Sequence, residues 1–130
     1  MNALTRAVSL SEPALSAYAV ASPPDGCFEK RFADGDRAFS FEAVHEGFLM
    51  HYERPRAFVG MDADLHLLAG DAMYALGLSR LAELGDLAAV AELADLITAC
   101  ARAKVEQEPG TVEELWATSA ERLARAGQEA

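Results

Sequence analysis

The sequence predicts an all-α protein, a small bundle of about four to five helices built on a central antiparallel helical hairpin. Two long apolar stretches, residues 64–84 and 87–101, each repeat at the helical period. They meet at Gly85-Asp86, where glycine suits the left-handed end of one helix and aspartate caps the start of the next. We therefore expect the chain to turn back on itself almost at once.

Residues 1–38 are predicted to form an N-terminal arm with short helices. Ser11 and Pro13 mark a helix start, with the serine as cap and the proline in the first turn. A Pro- and Gly-containing break at residues 22–26 keeps the helices of this region short. Residues 39–130 are expected to form the helical core, and the length of the chain indicates a single domain overall.

The core is predicted to begin with a helix that Ser40 caps and Pro55 ends. Its apolar side chains recur on one helical face, at Phe41, Val44, Phe48, Leu49 and Tyr52. After the hairpin and a break at residues 108–110, a capping box at Thr111–Glu114 predicts the last helix. That helix carries Val112, Leu115, Trp116 and Leu123.

The first hairpin helix is expected to bury a face formed by Leu65, Leu68, Ala69, Ala72, Met73, Leu76 and Arg80. Gly70 and Gly77 leave two low points on one side of it, where a neighbouring backbone has room to approach closely. Asp71 lies among apolar residues, where an ionised carboxylate needs a partner. We expect it to tether this helix to Arg54, Arg56, a tyrosine hydroxyl or a backbone amide, or else to line a functional pocket.

The chain is acidic, with 11 Lys and Arg against 21 Asp and Glu and a formal net charge of −10. This charge opposes binding to nucleic acid or to an anionic lipid surface. No uncharged run approaches the roughly 20 residues of a membrane-spanning helix, and Glu12 and Pro13 interrupt the apolar N-terminal stretch that resembles a signal peptide. Cys27 and Cys100 form no Cys-x-x-Cys motif. We predict a cytoplasmic protein with no cofactor.

Glu42 and His45 lie three residues apart on one helix face, the spacing that di-iron and di-manganese bundles use twice. In this sequence the spacing occurs once, and the nearest substitute for a second pair is Asp62 with His66. These four residues are the candidates for a metal site. Capping and surface ion pairs are their alternative roles.

His51, Arg54 and Arg56 form the only local concentration of basic or potentially basic groups in the sequence. In an acidic protein such a patch is suited to hold a phosphate, a carboxylate or an acidic partner segment. Together with Asp71, these residues are the predicted ligand- or anion-binding site. The sequence carries no Gly-rich phosphate loop and no Ser-His-Asp pattern, so we predict no catalytic residue.

Residues 67–76 read LLAGDAMYAL and are followed by Leu81 and Ala82. This pattern resembles the helix of trans-prenyl (polyprenyl) diphosphate synthases that carries a Leu-Ala-Gly-Asp sequence, and the helix at residues 41–52 falls in a comparable place. The aspartate-rich motifs through which that family binds magnesium and diphosphate are absent from this sequence. The resemblance therefore implies a truncated, non-catalytic relative, similar to the small subunits of two-component prenyl synthases.

The leading prediction is a small, non-catalytic accessory or interaction subunit, and the resemblance implies a link to isoprenoid or quinone metabolism. Its apolar helix faces would contact a partner protein or a second copy of the chain. One alternative is a binding module for an apolar, prenyl-like ligand, with a channel between helices near Met50, Met61, Met73 and the small residues around Gly70. The other is a metal-dependent helical enzyme using Glu42, His45, Asp62, His66 and Asp71.

Overall fold

The computed structural model describes residues 2–129, with side chains through Arg125. Five α-helices follow one another: α1 Ala3–Leu10, α2 Gly35–Tyr52, α3 Ala63–Glu83, α4 Leu87–Glu106 and α5 Thr111–Glu129, with 3₁₀ helices at Pro13–Tyr18 and Glu29–Arg31. Within residues 2–129, β-type backbone pairing is limited to one isolated antiparallel bridge between Ala19 and Phe58. The prediction of a small all-α bundle is confirmed. No helix in the described part of the chain has the length and apolar character needed to cross a bilayer.

Helix α2 lies at the centre of the bundle, in contact with α1, α3, α4 and α5. Twelve of its 18 residues are buried, so it has no continuous polar face. The helix begins earlier than predicted, because the Asp34 side chain accepts hydrogen bonds from the amides of Asp36 and Arg37. Ser40, the predicted cap, is buried within the helix, and the predicted boundary between residues 38 and 39 also falls inside α2.

Helices α2 and α3 pack closely through three glycines. A Cβ atom added at Gly77 would lie 2.8 Å from the Ser40 carbonyl oxygen, and one at Gly47 would lie 2.8 Å from the Gly70 carbonyl oxygen. Only residues without a side chain allow the two backbones to approach this far. The predicted close approach at Gly70 and Gly77 is therefore present, and the neighbouring helix is α2.

The predicted turn between α3 and α4 is present. Gly85 has a left-handed φ of 75°, and the Asp86 side chain accepts a hydrogen bond from the Ala89 amide. However, α3 packs far more extensively against α2 than against α4. The buried face of α3 is therefore the face that carries its two contact glycines. Its buried residues are Ala69, Gly70, Met73, Gly77 and Leu81. Leu68, predicted to be buried, is 68% exposed, because the close contact with α2 sets the rotation of the helix.

Two hydrophobic clusters flank α2. One surrounds Trp116 and joins α2 to α4 and α5, and the other joins α2 to α1 and α3. The predicted N-terminal arm contributes to the second cluster, because Leu4 and Leu15 pack with Phe39 and Met73. Both leucines are at most 5% exposed. The segment before α2 is therefore packed against the bundle.

Candidate functional site: a buried charge cluster on the central helix

Three ionisable side chains lie on one side of the central helix. Glu42, His45 and Glu46 follow the i, i+3, i+4 spacing that places side chains on a common helical face. Glu42 and Glu46 are 0% exposed, and His45 is 9% exposed. Because all faces of α2 contact other parts of the protein, these groups must find their partners inside the molecule.

Arg56, in the loop between α2 and α3, places its guanidinium against both carboxylates. Its Nη1 donates to Oε1 of Glu42 at 3.1 Å, and its Nε donates to Oε1 of Glu46 at 3.2 Å. The Arg56 side chain is itself only 15% exposed. We refer to Glu42, Glu46 and Arg56 as the buried charge cluster. Charge-assisted hydrogen bonds of this kind are strong where water is excluded.

Backbone amides complete the coordination of both carboxylates. The Phe28 amide donates to Oε2 of Glu42 at 2.6 Å, while the amides of Arg56 and Ala57 each donate to Oε2 of Glu46 at 2.8 Å. Gly26 lies directly against Glu42, because a Cβ atom there would be 2.2 Å from the carboxyl carbon. The two glutamates thus hold two separate loops against α2.

Burial shifts the pKa values of Glu42 and His45. Burial raises the pKa of Glu42, and the attraction of Arg56 together with the Phe28 amide offsets only part of that effect. Burial, assisted by the positive charge of Arg56, lowers the pKa of His45 to about 3. His45 is therefore uncharged at neutral pH.

His45 is surrounded by aromatic rings. Its ring centroid lies 4.6 Å from that of Trp116, 5.2 Å from that of Phe28 and 6.4 Å from that of Phe48. Its Nδ1 has no hydrogen-bond partner among the described residues. The imidazole therefore acts mainly as a flat core side chain beside the charge cluster.

The four candidate metal ligands do not form a common site. Glu42 is bound by Arg56, and His45 lies among the aromatic rings. Asp62 caps α3 by accepting a hydrogen bond from the Leu65 amide at 2.8 Å, and His66 lines a surface cleft. Within the described residues, no three His, Cys, Asp or Glu side chains are grouped so that they could hold a metal ion.

His51 and Asp71 are brought together across α2 and α3. Nε2 of His51 lies 2.9 Å from Oδ1 of Asp71, and the His51 ring stacks on Tyr74 with centroids 5.2 Å apart. Arg54, Arg56, a tyrosine hydroxyl or a backbone amide was the predicted partner of Asp71, in apolar surroundings. The observed partner is His51. The Asp71 side chain is 68% exposed, because α3 presents this position to solvent. Gly70 provides the space for the imidazole, since a Cβ atom there would lie 2.3 Å from Cδ2 of His51.

The predicted basic patch is divided among three environments. His51 pairs with Asp71, and Arg56 is directed into the core. Arg54 remains exposed and lines a surface cleft together with His66 and part of Arg56. His51 is therefore separated from the two arginines.

Sequence reasoning missed Glu46 and the role of Arg56. A signal was present, because Glu46 falls on the same helical face as Glu42 and His45. Cys27 was also unassigned, and its sulfur lies 3.6 Å from Nη1 of Arg56. Only the folded structure shows that the loop arginine reaches this face.

Comparison with protein-family models, with curated proteins and with solved structures finds no match for this chain. The resemblance to trans-prenyl diphosphate synthases therefore stays a prediction. The structure places its central residues, 67–76, within α3, with Asp71 directed to the surface.

Proposed function

We propose that this protein is a non-catalytic helical interaction subunit that binds a partner protein through the tip of the α3–α4 hairpin. The observation that carries the proposal is a pair of exposed leucines at this turn. Leu84 is 51% exposed and Leu87 is 68% exposed, and they are separated only by the two turn residues. Leu67 and Leu68 are a second exposed pair, but they lie within α3, whereas Leu84 and Leu87 flank the turn at the end of the hairpin. A turn at the end of a helical hairpin can enter a partner's pocket without a neighbouring helix in the way, so the pair at the tip is the favoured contact surface.

The hairpin tip is held in a fixed conformation. Arg37 donates to both carboxylate oxygens of Asp86, at 2.7 and 2.9 Å, and Nη1 of the same arginine donates to the Leu123 carbonyl at 2.9 Å. The hydrogen bond from Arg37 lowers the pKa of Asp86, so this carboxylate stays ionised at neutral pH. A fixed turn presents its leucines with little loss of conformational freedom on binding, which favours affinity.

The surroundings of the tip indicate the chemistry of the partner. Glu83 is exposed next to Leu84, and the chain carries a net charge of −10. We therefore expect an apolar pocket bordered by Lys or Arg side chains on the partner. A second copy of this chain would bring like charges together, so self-association is the less favoured arrangement.

The buried charge cluster supports an architectural role. Both of its carboxylates are engaged by donors of the protein itself, and they fix loops to α2. Its hydrogen bonds thus serve to hold the fold that presents the hairpin. The proposed link to isoprenoid or quinone metabolism depends only on the sequence resemblance, which is centred on residues 67–76.

The experiment compares two matched double variants in affinity capture from extract of the native cells. Leu84→Asp with Leu87→Asp alters the tip, and Leu67→Asp with Leu68→Asp alters an equally exposed pair at the other end of α3. Both double variants add two acidic groups at exposed positions, so their effects on folding should be small. Each captured protein is then purified, and its affinity is measured for the wild type and for each of the two double variants.

We expect a specific partner whose affinity falls by at least about tenfold with the tip variant and stays unchanged with the control pair. Binding should also weaken as salt rises, since oppositely charged groups flank the contact. Equal loss in both double variants, or loss in neither, would contradict the proposal. A dimer of the chain itself that the tip variant dissociates would contradict the proposed partner chemistry.

A further inference from the structure

A cleft of about 420 Å³ opens where the loop between α2 and α3 passes the start of α3. Its lining comprises Val20, Arg54, Pro55, Arg56, Phe58, Val59, Gly60 and His66. The volume lies within the range of roughly 300 to 1,000 Å³ that is typical of small-molecule sites. The cleft is at the opposite end of α3 from the hairpin tip, so it is separate from the proposed partner surface.

The walls of the cleft are fixed from two directions. The Val20 amide donates to the Ala57 carbonyl and the Val59 amide donates to the Tyr18 carbonyl, both at 2.8 Å. On the side of α2, the Glu46 carboxylate accepts hydrogen bonds from the amides of Arg56 and Ala57. The cleft is therefore preformed, which reduces the ordering that a ligand would have to impose.

The charged side chains that line the cleft are those of Arg54 and Arg56. No carboxylate is among its lining residues within the described part of the chain. Glu42 and Glu46 already offset the charge of Arg56, but none of the ion pairs found among the described side chains includes Arg54. The guanidinium of Arg54 is therefore available to a ligand beside the apolar wall of the cleft.

We propose that this cleft binds a small amphiphilic anion, with a carboxylate or phosphate group on Arg54 and a short hydrocarbon body against Val20 and Val59. Guanidinium pairs with either head group through two parallel hydrogen bonds. The His66 ring supplies a further donor. A hydrocarbon body fits the apolar wall formed by Val20 and Val59, and it excludes water from the charged contact.

The test uses hexanoate, hexyl phosphate and neutral 1-hexanol as probes in NMR titrations of the intact protein. Arg54→Gln removes the proposed anion contact, and Val59→Asp places a negative charge on the apolar wall. Arg102→Gln is the matched control, because Arg102 is another exposed arginine outside the described ion pairs and lies on α4. Urea unfolding of each variant verifies that the fold is retained.

We expect at least one anion to bind with a Kd of about 1 mM or tighter, and hexanol to bind at least about tenfold more weakly. The stronger of the two anions assigns the head group. Arg54→Gln and Val59→Asp should each weaken binding about tenfold or more, while Arg102→Gln should bind as the wild type does. Absence of saturable binding up to about 10 mM, equal binding of hexanol, or unchanged binding by both cleft variants would overturn the proposal.

Discussion

The side chain of Arg56 has an unusual position, since it lies with two carboxylates that are completely shielded from solvent. Removing one partner from a buried ionic group is strongly destabilising because the remaining charge has no compensation. We predict that Arg56→Met lowers the free energy of unfolding by about 3–5 kcal/mol at neutral pH. Urea denaturation followed by circular dichroism measures this change.

Arg54→Met is the matched control, because Arg54 is an exposed arginine two positions earlier in the same loop. A substitution at such a surface position should change the free energy of unfolding by no more than about 0.5 kcal/mol. Similar losses in the two variants would show that the buried contacts of Arg56 are not what stabilises the protein.

His45 gives the protein a defined sensitivity to acid. The folded pKa of about 3 lies below the ordinary value of 6.5, so the unfolded chain binds the proton more readily between these limits. The contribution of His45 to stability is therefore present above pH 6.5 and is lost as the pH falls toward 3. The raised pKa of Glu42 acts in the opposite direction, favouring the folded state as the pH falls.

Replacing His45 by Gln isolates its contribution, because glutamine does not titrate. Between about pH 7 and pH 4, the wild type should lose up to about 3 kcal/mol more unfolding free energy than His45→Gln. Urea titrations at several pH values provide the comparison. Parallel pH profiles for the two proteins would show that His45 is not held uncharged in the folded state.

The chemistry of single residues was only partly predictable from the sequence. The spacing of Glu42 and His45 correctly indicated a shared face, but a surface position could not be distinguished from a buried one. The burial of α2 depends on four other helices, which no local pattern reports. Asp71 shows the reverse error, because its apolar neighbours suggested burial although the close packing of α3 on α2 directs it outward.

The pairing of α2 with α3 depends on glycine at the contact points. At Gly77 an added Cβ atom would lie 2.8 Å from the Ser40 carbonyl oxygen and 2.8 Å from Cγ2 of Val44. We predict that Gly77→Ala destabilises the protein by about 1–3 kcal/mol, despite the better helix propensity of alanine, because overpacking separates the helices. Thermal and urea unfolding measure the effect.

Gly35→Ala provides the comparison on the same helix pair. Gly35 begins α2, and a Cβ atom there would have no neighbour within 4 Å. Without a clash, alanine should be neutral or stabilising by up to about 1 kcal/mol. If Gly77→Ala stabilised the protein as Gly35→Ala does, the close approach of the two helices would be refuted.

The α3–α4 turn was predictable, whereas two other predicted helix caps were wrong: Ser11 is the C-cap of α1, and Ser40 lies inside α2. Gly85 and Asp86 act as a stop and a cap through their own backbone and side-chain chemistry, so the turn was identifiable from two residues. The start of α2 was misplaced because the glycine at position 35 resembles a loop break. The cap formed by Asp34 allows the helix to begin there all the same.

The whole molecule is organised around α2, which contributes to both hydrophobic clusters. Leu4 is completely buried in one cluster, while Trp116, the only tryptophan, is 3% exposed in the other. Because α2 joins the clusters, we predict that Leu4→Ala lowers the free energy of unfolding by about 2–5 kcal/mol. Trp116 fluorescence should report the same loss as far-UV circular dichroism, as two-state unfolding requires.

Leu10→Ala on the same helix is the control for this test. Leu10 is 55% exposed, so its truncation should have little effect. If Leu4→Ala altered the circular dichroism signal but left the Trp116 transition unchanged, the N-terminal segment would be a separate folding unit. That result would favour a separate N-terminal arm at residues 1–38, as the sequence predicts.

The most direct test of the buried charge cluster compares Arg56→Met with a triple variant that also carries Glu42→Gln and Glu46→Gln. Glutamine oxygens still accept the backbone hydrogen bonds but carry no charge. If uncompensated charge is what destabilises Arg56→Met, the triple variant should regain at least about 2 kcal/mol of unfolding free energy at neutral pH. A triple variant as unstable as Arg56→Met, or less stable, would contradict this account.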